Sequence, residues 1–214
     1  MTKDNYILAL DVSTSTIGIA LFEDMGTSGK LKLLVHVSPV VKPKLENKME
    51  ELFKKVEIFD EEFLVKYTNI GIKRVIIEEP LLQSNNVYTI ATLLRFNGMI
   101  SKLVYDKLNI VPDFISSYDA RKYAFPELME VRKFKKDGTA LTEKQIANGS
   151  PVLFGGYPFK IDKKLILWEK VSELEPQIEW IYDKTFKINK KSFDMSDAYV
   201  AGIGFMNKID CWKK

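Results

Sequence analysis

Cysteine and histidine are almost missing from this sequence: its 214 residues include one cysteine, Cys211, and one histidine, His36. A lone cysteine cannot close an intrachain disulfide, and the two residues together cannot furnish a cysteine-rich zinc site. A disulfide scaffold is therefore excluded, and a reducing compartment fits. Long apolar runs are missing too. None approaches the roughly 18 residues that read as a membrane-spanning helix. The polar start Met1-Thr-Lys-Asp-Asn5 has no signal-peptide core. These absences lead us to expect a soluble cytoplasmic protein without a membrane partner. The net charge of +3 is too small to argue for nucleic acid by itself, so the distribution of the cations matters more. No internal repeat or low-complexity tract is visible.

What is present suffices for one core. The hydrophobic share is 46% and the charged share 29%, which predicts a single domain over residues 1–214 with a solvated surface. Tyr6 to Leu10 reads as a buried strand, Ile17 to Phe22 as a second, and the small polar turn between them makes a hairpin. Leu31 to Val37 continues this as an antiparallel meander. His36 lies in that strand and is assigned no role. The spacing of Leu45, Met49, Leu52, Phe53, Val56, Phe59, Phe63 and Leu64 predicts an amphipathic helix over Lys44–Tyr67. Arg74-Val-Ile-Ile-Glu78-Glu79-Pro80 then reads as a strand ending in two acids, parallel to the first through a crossover.

A second helix is predicted to about Lys107, capped by Ser84 or Asn85, with small Gly98 allowing close approach of another element. Ile110 to Ser116 reads as a fifth strand. Ser116 or Ser117 caps a short helix ending near Phe125. From about residue 127 to 159 the periodicity dissolves into a variable region containing the basic run Arg132-Lys133-Phe134-Lys135-Lys136. Lys163 to Leu174 reads as a helix, and Gln177 to Phe186 as a further turn or two. A second basic cluster follows, Lys187, Lys190 and Lys191. The last helix is predicted over Met195–Lys208, with Asp194 as its N-cap.

Acids recur at three separated points. Asp11 ends the first strand, Glu78 and Glu79 end the fourth, and Asp194 with Asp197 opens the last helix. Asp11 is either satisfied by the turn's own N–H and hydroxyl groups or by something cationic. Asp194 and Asp197, three apart, can point the same way; they can equally cap a helix and complement its dipole. Gathered at one place, four such acids would repel one another unless cations neutralised them. Hard divalent ions take oxygen ligands of this kind.

The order of these motifs resembles the RNase H-like fold, and more narrowly RuvC-like Holliday junction resolvases, viral and phage members included. Ile77-Glu78 before a long helix with Arg95 and Gly98 resembles that family's Glu strand and Ala-Arg-Gly helix. Ser117-Tyr-Asp-Ala-Arg121-Lys122 resembles its Tyr-x-x-Arg-Gln/Lys segment. The likeness covers residues 6–126 and 160–206 in outline, and 127–159 departs from the bacterial pattern. It implies an α/β fold with a five-stranded mixed sheet, three antiparallel strands plus two parallel, flanked by helices.

It also implies a catalytic set of Asp11, Glu78, Asp194 and Asp197 holding two Mg2+ ions per site, with Mn2+ as a substitute. Bacterial members often carry His at the first position of the last pair, so Asp194 is a departure compatible with oxygen ligation. Lys163 or Lys164 matches a family lysine near the scissile phosphate, the alternative being an ordinary solvated side chain. On this resemblance Lys164 is the catalytic candidate and Lys163 joins the DNA-contacting cations. The implied reaction is two-metal hydrolysis of branched DNA, especially four-way junctions, leaving 5′-phosphate ends. Arg132, Lys133, Lys135, Lys136, Lys187, Lys190 and Lys191 would contact phosphates without reading bases. Two symmetric nicks imply a homodimer, with Asn85–Lys107 as the candidate dimer helix. A phage-encoded member would work in a bacterial host's cytoplasm. Three alternatives stand beside this reading: a broader flap or fork nuclease, a non-catalytic structural binder of branched DNA, and an actin-like or sugar-kinase-type ATPase fragment, whose phosphate loop Asp11-x-Ser-Thr-Ser-Thr-x-Gly18 resembles.

Overall fold

The computed structural model describes residues 5–26, 28–80, 86–156 and 161–212, with side chains to residue 209. Ser84, Asn85 and the Cys211 side chain lie outside the described residues. Three strands open the chain: β1 (Tyr6–Val12), β2 (Ile17–Asp24) and β3 (Gly29–Val37). After α1 (Lys48–Phe59) and the short α2 (Val65–Tyr67) comes β4 (Ile72–Glu78), then α3 (Val87–Leu108) and β5 (Asp113–Ile115). The sheet order is β3-β2-β1-β4-β5. β1–β2 and β2–β3 are antiparallel, while β1–β4 and β4–β5 are parallel. The mixed five-stranded sheet flanked by helices is the α/β architecture that the sequence predicts. Among the described residues, no helix is long and apolar enough to cross a membrane.

Both faces of the sheet are covered, and strand alternation decides which residue goes where. Leu8, Leu10 and Val12 join Ile19, Val75 and Ile77 under α1 and α3, in a core with Leu52, Phe59, Phe96 and Ile100. Ile7 and Ala9 point the other way with Ala20, Phe22 and Ile76. That face meets α4 (Ser117–Ala124), α6 (Lys163–Leu174) and α7 (Lys190–Trp212) through Ala120, Leu167, Val171, Ala198, Ala201 and Phe205. The last helix runs beside the central strands with α4 and α6 packed on it, which explains why it is buried over most of its length.

The structure corrects several expectations. The first helix starts at Lys48, where Asn47 accepts the Met49 and Glu50 N–H groups, and its end widens into a π-turn over Asp60–Leu64 that buries Phe63 and Leu64. Asn86 caps α3. Gly98 admits no neighbour: a Cβ there would meet nothing within 4 Å. Residues 127–156 are structured rather than dissolved, with β6 (Met129–Val131) pairing antiparallel to β7 (Pro151–Leu153) around α5 (Glu143–Ala147). Three-residue strands are too short to show a period. Residues 177–186 contain no helix; they lead into a hairpin closed by Tyr182 and Ile188. The last helix begins five residues before Met195, so Asp194 is not its cap. Asn189 precedes it and accepts the Lys191 N–H at 3.1 Å.

Candidate active site

The acids reach one place because of strand period and one glycine. Asp11 is odd-numbered like Ile7 and Ala9, and Glu78 is even-numbered like Ile76. Both side chains therefore leave the sheet on the face that α7 covers. Glu79, one residue on, is exposed and uses its N–H to bond Ile115 O at 2.8 Å. Asp194 and Asp197 sit one turn apart in the body of α7 and are only 2% and 5% exposed. Gly18 pairs with Asp11 across the β1–β2 ladder. A Cβ on it would overlap the Asp194 carbonyl, so α7 can approach the hairpin only because this residue is glycine.

One carboxylate oxygen each from Asp11, Asp194 and Asp197 lie within 4.8 Å of one another. Lys164, at the head of α6, donates to Asp197 Oδ2 at 2.8 Å and to Asp194 Oδ1 at 3.4 Å. The other Asp194 oxygen, Oδ2, is buried without a hydrogen-bond partner. Burial raises the Asp11 pKa well above the ordinary range, and Asp197 and Asp194 raise it further against the pull of Lys164 and Lys190. Glu78 lies outside the 4.8 Å group but belongs to the same field. Burial raises its pKa, with Asp11 and Asp197 adding to the effect and Arg121 and Lys164 opposing it. Asp194 is raised by burial, against Lys164 and Lys190. Burial alone would lower the Lys164 pKa, but Asp197, Asp11 and Asp194 outweigh it and hold the ammonium charged.

Lys164 and the more distant Lys190 and Arg121 thus face four acids. A buried carboxylate oxygen without a donor costs about 1–3 kcal/mol or more. A hard divalent cation fits this all-oxygen donor set and would give Asp194 Oδ2 a partner. The cluster is suited to hold such an ion.

The remaining predicted residues spread around this centre. Lys190 Nζ donates to Ser15 Oγ at 3.2 Å, beside the turn that follows Asp11. Lys191 is half-buried and its charge, after burial, lowers the His36 pKa. Lys163 is exposed on the first turn of α6, while its neighbour Lys164 reaches the acids. Arg132 is half-buried after β6, and Lys133, Lys135 and Lys136 are exposed beyond it. Lys187 is exposed in the segment before α7. The structure therefore brings Asp11, Asp194, Asp197 and Lys164 together, sets Glu78 and Lys190 at their edge, and leaves the other cations outside. Arg121, whose charge acts on Glu78, was legible only as part of the Ser117–Lys122 segment.

No family model matches the sequence, and no curated protein matches it. Solved structures do. Thermus thermophilus RuvC in complex with a Holliday junction substrate superposes with a TM-score of 0.53 at 9% identity, covering 96% of this chain and 95% of that one. A second Thermus thermophilus RuvC structure gives 0.51 at 11%, covering 97% and 96%. The yeast mitochondrial Holliday junction resolvase Ydc2 gives 0.52 at 12%, covering 97% of this chain and 80% of that one. At such identities the likeness speaks for architecture: this chain has the RNase H-like α/β fold that these structures share.

Proposed function

We propose that this protein is a divalent-metal-dependent endonuclease that resolves four-way DNA junctions by paired, symmetric nicks. The observation that carries the reading is the buried convergence of Asp11, Asp194 and Asp197, with one Asp194 oxygen lacking a donor. The resolvase-type fold around it supports the choice of substrate. Asp11, Glu78, Asp194 and Asp197 would hold two Mg2+ ions, with Mn2+ able to substitute. Such ions, when bound, activate water and neutralise the leaving oxygen of a phosphodiester.

The chain's own residues supply the rest. Lys164 holds Asp194 and Asp197 in place and offers a cation that a phosphate oxygen can approach, because its side chain is 45% exposed. Lys190 braces the polar turn after Asp11. That turn is already closed on itself, with Ser13 Oγ donating to Thr16 O at 2.8 Å and accepting the Thr16 N–H at 3.1 Å. The exposed lysines of the two basic segments would hold the phosphate backbone. Two nicks require two sites, so the working unit is a homodimer. Exposed Val87, Tyr88, Leu94 and Tyr105 on α3 support that helix as the contact.

The test is cleavage of an end-labelled immobile four-way junction with Mg2+, beside linear duplex, fork and flap, with Asp11→Asn as control. Paired nicks at symmetric positions on the junction, lost in the variant, are expected. Equal cutting of every branched form would replace the junction resolvase with a general branch nuclease. Nucleotide hydrolysis without DNA cleavage would restore the ATPase alternative.

A further inference from the structure

Two hairpin arms in this protein have the same turn, 48 residues apart. In the first, Phe134 pairs with Ala140. Lys135 N–H bonds Thr139 O, Gly138 N–H bonds Lys135 O, and Leu141 N–H bonds Lys133 O. In the second, Tyr182 pairs with Ile188. Asp183 N–H bonds Lys187 O, Phe186 N–H bonds Asp183 O, and Asn189 N–H bonds Ile181 O. This hydrogen-bond pattern, with a left-handed residue before the closing pair, is a hairpin loop that favours glycine at that position. The first arm has it: Gly138, at φ +85°. The second arm has Phe186 there, at φ +58°.

Neither backbone preference nor packing accounts for that phenylalanine. A side chain in the left-handed region is strained, and Phe186 is 90% exposed, so no burial compensates. The loop holding it is nevertheless rigidly tied. Asp183 Oδ1 accepts from Thr185 N, Thr185 Oγ1 and Lys187 N. The arm's base is clamped to α7, where fully buried Ser192 accepts the Ile181 N–H at 2.8 Å and donates to Ile181 O at 3.0 Å. Ser192 is two residues from Asp194. Four extended steps and one helical turn put Phe186 within about 20 Å of Asp194, roughly six base steps. Lys184 and Lys187 flank it in the sequence. A strained, solvent-facing aromatic on a fixed arm between cations matches the chemistry of a platform for an unpaired base.

We propose that Phe186 stacks on an unstacked base of the DNA and so directs this protein toward branch points. The inference rests on the junction-cleaving reading above. Its test uses the full-length protein with Ca2+ replacing Mg2+, and a four-way junction carrying 2-aminopurine at positions around the crossover. Wild type is expected to change the fluorescence of one position near the crossover, and Phe186→Gly to abolish that change. The variant should bind the junction about tenfold more weakly, with duplex affinity and salt slope unchanged, because stacking releases no counterions. Its thermal midpoint should rise by about 2 °C, since glycine relieves the left-handed strain. A Phe186→Trp variant should restore the fluorescence change. Unchanged junction affinity and fluorescence in Phe186→Gly would overturn the role of Phe186 while leaving the nuclease reading intact. Wild type that neither binds nor cuts junctions would instead overturn the reading on which it rests.

Discussion

At the scale of single residues, the site is a set of buried charges whose costs can be measured. Folding raises the Asp11 pKa, so the native state binds that proton more tightly than the unfolded chain does. Native stability then falls as pH rises from the unfolded carboxylate value through the folded one, and stays reduced at neutral pH. Asp11→Asn removes the loss. The metal-free variant should melt above wild type at pH 7, with the difference shrinking below about pH 4, and it should cut no DNA. Equal melting at pH 7 would show that the charge is already neutralised by the protein. Glu78→Gln should abolish cleavage, whereas Glu79→Gln, at an exposed side chain beyond the strand, should leave rates within about twofold. In the sequence, the choice between those two acids came from the family resemblance of Ile77-Glu78; once the strand is placed, its period sends Glu78 to the face that α7 covers and leaves Glu79 exposed. Which of Lys163 and Lys164 reaches the acids was not legible: at a helix start the two differ by about 100° of rotation, and only packing against α7 sets the phase.

At the scale of elements, α7 is the part that assembles the centre, and its approach depends on Gly18. Gly18→Ala puts a methyl group on the Asp194 carbonyl. Overpacking of this kind costs about 1–3 kcal/mol, so urea denaturation should show a loss of about 2 kcal/mol, with cleavage reduced far more than stability. A variant as active as wild type would mean that α7 tolerates a shift. Asn189→Ala should cost about 1 kcal/mol through the lost cap, with smaller effects on cleavage. The helix start was misread in the sequence because Lys190 and Lys191 read, with Lys187, as a basic cluster before the helix. In the structure Lys190 and Lys191 open its first turn, and Asp194 becomes an interior residue. The region after Glu127 was illegible for a different reason. Its strands are three residues long and its arms are held by backbone bonds and turn side chains, none of which leaves a periodic apolar signature.

At the scale of the molecule, the sheet and its covering helices were the most legible part, since β1, β2, β4 and α6 each carry a strong pattern. The proposed DNA surface is the least constrained by local sequence, because net charge is small and several of the exposed lysines sit on arms. Each of Lys135, Lys136 and Lys187 that contacts a phosphate should contribute about 0.9 to the slope of log affinity against log salt. Replacing all three by alanine should lower that slope by between two and three, and an unchanged slope would remove the arms from the interface. Light scattering at micromolar concentration should show a dimer that weakens when Tyr88 and Leu94 are changed to charged residues. The central claim is that the buried acids form a divalent-metal site. Its most direct measurement is calorimetric titration of Mn2+ into wild type and into Asp194→Asn, which changes one buried oxygen and keeps the shape. The account predicts saturable binding in wild type, a rise in melting temperature with Mn2+, and at least a tenfold loss of affinity in the variant. Equal Mn2+ affinity in the two proteins would contradict it.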